Sequence, residues 1–251
     1  LVLAILTAAG VVPAGLPARA AWAAVGIDCD DLMGGLIALG ISPAGWSLPP
    51  DAAVTLPPRE LARCAWPAPP GPGACVFVTE NPSVVTAAAD AVAVPDTPVG
   101  PVRLLCTVGT PSALEIAAIG RLAGAGWQIA ARADFDQAGL QHVGSLLRGV
   151  PVARPWRMGA ADYLASLATT PADDRIRLRP DPLPATPWDP ALGDVMSEHG
   201  LAAYEESLME ALLADLMTGC VPEPSGRRPV VATQADPSDD TASGWPLNTC
   251  W

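Results

Sequence analysis

From residue 75 onward, short apolar runs alternate with stretches of helical period. "CVFVTE" (75–80) is rich in β-branched and aromatic residues and predicts a buried strand ending at Glu80. "NPSVVTAAADAVA" follows, with Asn81 placed to cap a helix and Pro82 at its first position. "VRLLCTVG" (102–109) predicts a second buried strand, and "TPSALEIAAIGRLAGAG" repeats the opening of cap, Pro and Ser before another helix. The echo between "NPSVVTAAA" and "TPSALEIAA" marks two consecutive βα units. "WQIAARAD" is a third strand, "QAGLQHVGSLLRG" a third helix, "VARPWRM" a fourth strand and "AADYLASLA" the helix after it.

This rhythm predicts an α/β fold: a Rossmann-like parallel sheet with helices on both faces. Ahead of it, residues 1–73 read as a small, mainly helical segment with pieces near 1–10, 17–25, 28–39 and 58–66. That segment closes in a Pro/Gly connection, "PAPPGPGA". The α/β domain is expected over 74–190, its last twenty residues running over the surface. A C-terminal helical extension follows over 191–218, dominated by one amphipathic helix near 199–217. Residues 219–251 lack any periodicity and read as a disordered tail.

Composition narrows the function classes. Half the residues are hydrophobic, so a sizeable core is available, and the formal net charge of −12 argues against a protein that coats nucleic acid alone. A nuclease handed its DNA by partners remains open. All 14 basic residues are arginines. Six cysteines show no CxxC spacing and only two histidines are present, which disfavours a zinc site and fits a reducing compartment. Cys75 and Cys106 fall inside predicted strands and read as small buried hydrophobes. The opening "LVLAILTAAGVVPAGLPARAAWAA" imitates a secretion signal but lacks a basic leading region and is too short to span a bilayer. It reads better as a helix inside a longer protein.

In open parallel sheets, functional groups gather beyond the carboxyl ends of the strands. Glu80 follows the first strand, and Asp134 and Asp136 follow the third. Alternation puts the two aspartates on one side of an extended chain, where their charges repel. A divalent cation would remove that repulsion, so the missing positive charge is expected to be a metal ion and not a side chain. Mg²⁺ is a hard cation that takes one or two carboxylates plus water and phosphate oxygens. Sharing depends on strand order. An order 2-1-3-4 makes the first and third strands neighbours about 4.8 Å apart, whereas 3-2-1-4 separates them by roughly 10 Å.

Glu at the end of the first strand, with Asp-x-Asp-x-x-Gly at the end of the third, resembles a TOPRIM domain, the metal-dependent fold of topoisomerases, primases and related nucleases. "TENPSVV", "CTVGTPSA", "ADFDQAGL", "PWRMGAADYLA" and "PWDPAL", in that order, are similar to the family of nuclease subunits (JetD-like) of Wadjet-type anti-plasmid systems. The TOPRIM part of that family is related to the topoisomerase VI A subunit. The resemblance covers about 75–217. It implies a cytoplasmic, non-membrane, metal-dependent DNA endonuclease subunit that uses Mg²⁺ or Mn²⁺ and cuts double-stranded plasmid DNA. The implied partners are an SMC-like ATPase, accessory subunits and a second copy of the chain. By the match, Glu80, Asp134 and Asp136 take the metal and catalytic positions. Metal bound there would activate water and stabilise the leaving oxygen, or Glu80 would act as a general acid or base. Arg132 departs from the pattern, standing where the family tends to glycine. Neither Tyr163 nor Tyr204 precedes the domain, unlike the nucleophilic tyrosine of topoisomerase VI relatives, so covalent strand transfer is not expected.

Other readings compete. Asp136 alone would cap the third helix, and Glu80 would favour the positive end of the first. Asn81, Ser83, Thr110 and Ser112 read as caps. Arg154 and Arg157 read either as DNA-backbone contacts or as partners of nearby acids. His142 reads as a packing residue, His199 as lying at a helix start, and Glu205 and Glu206 as a solvated helix face, with a supporting role near the metal as the alternative the resemblance implies. Trp127, Trp156 and Trp188 would pack the sheet. A catalytically inactive scaffold that binds partners or DNA is the alternative function. A nucleotide-binding protein finds no Gly-rich phosphate fingerprint.

Overall fold

The computed structural model describes residues 1–16, 18–27, 31–49, 51–94 and 101–219. Its centre is a six-stranded sheet of order β2-β1-β4-β3-β5-β6. Those strands are β1 (Leu36–Leu39), β2 (Ala53–Leu56), β3 (Cys75–Thr79), β4 (Leu104–Cys106), β5 (Gln128–Ala131) and β6 (Arg154–Pro155). β3 pairs in parallel with β4 and β5, and β5 pairs in parallel with β6. The four strands after residue 75 therefore follow the order 2-1-3-4, which makes the strands that carry Glu80 and Asp134 direct neighbours. β1 joins β2 and β4 antiparallel and widens the sheet.

Every residue of β3 is buried because helices cover both faces. Cys75 and Phe77 point into one apolar layer with α4 (Pro82–Val92), α7 (Ala160–Thr169), α8 (Pro190–His199) and α9 (Met209–Thr218). Val76 and Val78 point into the other, with Ile119 and Leu122 of α5 (Ala113–Gly124) and Leu61 of α3 (Pro58–Leu61). Both layers draw on α6 (Gln137–Gly149), which gives Leu140 and Val143 to the first and Leu146 to the second. Phe77 meets Trp156 at 4.6 Å between ring centres.

Of the four expected caps, Asn81 and Ser112 act as N-caps, whereas Ser83 lies inside α4 and Thr110 stands two residues ahead of the Ser112 cap. Asn81 accepts the Ser83 N–H at the start of α4, and Ser112 closes a capping box with Glu115 at the start of α5.

Three elements differ from the sequence reading. Residues 36–39 form a strand, not the end of a helix, while α1 (Val2–Ala8) and α2 (Ala18–Ala23) are helical as expected. Gly34, Gly35 and Gly40 bracket β1 with positive φ, a conformation that ends a helix. A Cβ at Gly35 would overlap the Leu56 carbonyl, and one at Gly40 the Val102 carbonyl, so the neighbouring strands require glycine there. The expected single helix at 199–217 is broken. α8 ends at Gly200 (φ 64°), β8 (Leu201–Ala202) follows, and a 3-10 turn over Glu205–Leu208 leads into α9. His199 accordingly ends a helix instead of starting one. Third, β7 (Ile176–Arg177) forms within the presumed surface loop and pairs antiparallel with β8. The tail read as disordered lies outside the described residues from 220 onward.

Candidate functional site

Two adjacent parallel strands deliver the first two acids. β3 ends at Thr79 and β5 at Ala131, with Val78 beside Ala131 in register. Glu80 and Asp134 therefore emerge from the same edge of the sheet. Phe135 is fully buried and packs edge-on to Tyr163 at 5.5 Å, which turns Asp134 and Asp136 away from the core. Its N–H also donates to the Ala203 carbonyl at 2.7 Å, so the chain after β8 is stitched to the loop that carries both aspartates. Gly139 completes this loop. A side chain there would overlap the Asp134 backbone, and its N–H donates to Asp136 Oδ1 at 2.8 Å. The Asp-x-Asp-x-x-Gly spacing thus has a steric cause.

Glu80 and Asp134 sit half-buried in one another's field. Burial pushes the Glu80 carboxyl up to about 7, helped by the charges of Glu205 and Asp136 and opposed by the Asp134 backbone amide. Asp134 is also raised to about 7 by burial, with Glu205, Glu80 and Glu206 adding repulsion and the Glu205 N–H opposing it. That N–H donates to Asp134 Oδ1 at 2.8 Å. Glu80 Oε2 is buried with no hydrogen-bond partner. A buried carboxylate oxygen without a donor is costly, and a hard cation is the partner its chemistry suits. Asp136 does serve as the N-cap of α6.

The donor set fits Mg²⁺ or Mn²⁺ in kind: hard oxygens, like charges and one orphaned buried atom. Among the described residues, however, no group of three or more His, Cys, Asp or Glu side chains converges as a ready-made metal set. Asp136 directs Oδ1 into its helix cap, which leaves Glu80, Asp134 and Asp136 Oδ2 as the carboxylate oxygens open to a cation. Mg²⁺ commonly uses two protein carboxylates or fewer.

Two glutamates assigned by sequence to a solvated helix face belong to this edge. Glu205 is fully buried. Its Oε1 accepts from Thr79 Oγ1 at 2.6 Å and from Arg132 Nε at 2.9 Å, and its Oε2 accepts from the Asn81 N–H at 2.8 Å. Glu206 Oε1 accepts from Asn81 Nδ2 and Ser83 Oγ, at 2.6 and 2.7 Å. Arg132 corrects another expectation. A buried guanidinium, not only a metal, supplies positive charge at the aspartate strand, and its Nη1 and Nη2 have no hydrogen-bond partner. Tyr204 follows Ala203, the bridge partner of Phe135, and so stands next to the aspartate loop; its phenol is raised by burial first and then by Asp136 and Asp134.

The two arginines expected at the DNA backbone are both engaged within the chain. The Arg154 guanidinium donates to Gln128, at the opposite end of β5 from Asp134. Arg157 forks onto Asp215 of α9 at 2.5 and 2.7 Å, and Trp156 Nε1 donates to the same carboxylate. Of the two readings weighed for Arg157, pairing with a nearby acid is the one observed.

A family profile described as "Protein of unknown function C-terminus (DUF2399)" matches residues 54–216. The chain belongs to this family. The DUF2399 region runs from β2 into α9, so Glu80, Asp134, Asp136, Glu205 and Glu206 all lie inside it. A search of curated proteins gives no match. Among the described residues, no helix is long and apolar enough to cross a membrane.

Proposed function

We propose that this DUF2399 chain is a TOPRIM-type, metal-dependent DNA endonuclease subunit of a Wadjet-type anti-plasmid complex. It would work in the cytoplasm with an SMC-like ATPase and accessory subunits on double-stranded DNA. The observation that carries the reading is the pairing of Glu80 and Asp134 at the carboxyl ends of neighbouring parallel strands, with a buried Glu80 oxygen lacking any donor. Glu80 and Asp134 would hold Mg²⁺ or Mn²⁺, with Asp136 Oδ2 next in line. Such an ion supplies a water nucleophile at neutral pH and charge stabilisation for the leaving oxygen. The chain's own part is positional. The Glu205 N–H fixes Asp134, Gly139 fixes the loop, and Asn81 and Ser83 fix Glu206 at the rim.

One observation favours a second reading, the inactive scaffold: Arg132 already lends a cation to the acids, and no three-ligand set is preformed. The test is nicking of supercoiled plasmid by the full chain with its partner subunits. Cleavage is expected in Mg²⁺ or Mn²⁺, with loss of at least about 100-fold in Glu80→Ala and Asp134→Ala, since removing a group central to such a site costs several kcal/mol. Equal cutting by the variants would overturn the site. No cutting at all, with partner binding intact in every variant, would favour the scaffold.

A further inference from the structure

An all-acidic edge repels a phosphodiester, so a site that takes DNA needs a cation facing the incoming strand. Among arginines with described side chains, nearly all are committed internally. Arg59, Arg63, Arg132 and Arg157 pair with acids. Arg103 lies over Trp127. Arg121, Arg148, Arg154 and Arg175 donate to carbonyl or side-chain oxygens. Within the described residues this leaves Arg177 and Arg179, both exposed and neither with a guanidinium hydrogen bond or ion pair.

Both belong to "RIRLR", where alternation separates arginines from apolar residues. Leu178 packs against the core, so Arg177 and Arg179 face the other way. The segment is held beside the acids by three ties. β7 pairs with β8, the chain after β8 bridges Phe135 between the two aspartates, and Gln137 Nε2, one residue past Asp136, donates to the Arg179 carbonyl at 2.8 Å.

We propose that Arg179, with Arg177 behind it on the same face, is the phosphate contact that docks double-stranded DNA against the Glu80–Asp134 edge. This rests on the nuclease reading and replaces the contacts expected of Arg154 and Arg157. Two cations suffice because they orient a backbone that partners deliver.

The experiment is fluorescence anisotropy of a labelled duplex with the full chain assembled with its partner subunits in Ca²⁺, repeated over a series of NaCl concentrations. Arg179→Ala should weaken binding about 3- to 10-fold and lower the salt slope by roughly one, as loss of one phosphate contact does. Arg179→Lys should keep most of the slope. Arg148→Ala, which removes equal charge from the far end of α6, should match the wild type. Unchanged affinity and slope in Arg179→Ala, or an equal effect from Arg148→Ala, would overturn the assignment. Mn²⁺ binding, measured in parallel, should be unaffected by Arg179→Ala. Loss of metal binding in the wild type would instead point to failure of the nuclease reading itself.

Discussion

A methyl group at position 139 has nowhere to go, because the Asp134 carbonyl already fills that space. Gly139→Ala should therefore push the aspartate loop off the sheet edge. The expected cost is about 1–3 kcal/mol by urea unfolding, the range for overpacking, with weaker metal binding alongside. His142 gives a second residue-scale prediction. It is fully buried, and neither ring nitrogen has a hydrogen-bond partner. Burial lowers it to about 4. The folded pKa lies below the ordinary value of about 6.5, so the unfolded chain binds the proton first. The stability at stake is present above pH 6.5 and is lost as pH falls towards 4, by roughly 3 kcal/mol. His142→Leu should remove that acid sensitivity, seen by comparing urea unfolding of both proteins at pH 7 and pH 4.5. Glu80 and Asp134 were legible because each ends an apolar run. Glu205 was not, because its partners Thr79 and Asp134 lie 126 and 71 residues away and only tertiary folding reveals them.

At the level of elements, Glu205 and Arg132 form the clasp between the 3-10 turn before α9 and the two central strands. Both side chains are fully buried. Breaking a buried ion pair from one side leaves a bare charge and costs about 3–5 kcal/mol. Arg132→Met should therefore be strongly destabilised, and the double variant Arg132→Met/Glu205→Gln should recover part of the loss. Additive losses in that cycle, read by chemical unfolding, would show that the two side chains do not act as a pair. The βα alternation after residue 75 was readable because each strand is bounded by turn residues and each helix by a cap. β1 was not, because four apolar residues have no period of their own. The flanking glycines were the available signal. The break at Gly200 left a similar trace, with glycine interrupting an otherwise helical pattern. β7 is two residues long and exposed, so its strand state comes from pairing with β8.

For the molecule as a whole, the strand order decides what chemistry is available. The order β4-β3-β5-β6 places Glu80 and Asp134 at one edge, and β8 with the following turn brings Tyr204, Glu205 and Glu206 to the same place. A chain with net charge −12 has concentrated acids where a cation would be useful and left Arg177 and Arg179 uncommitted beside them. The central claim is that this edge holds a divalent ion, and calorimetric titration of Mn²⁺ into the full chain at pH 8 tests it most directly. One binding event is expected, weakening as pH falls through about 7 because protons then occupy Glu80 and Asp134. Glu80→Gln and Asp134→Asn should each abolish it, while Arg148→Ala leaves it unchanged. No uptake by the wild type, or equal uptake by the two acid variants, would contradict the account.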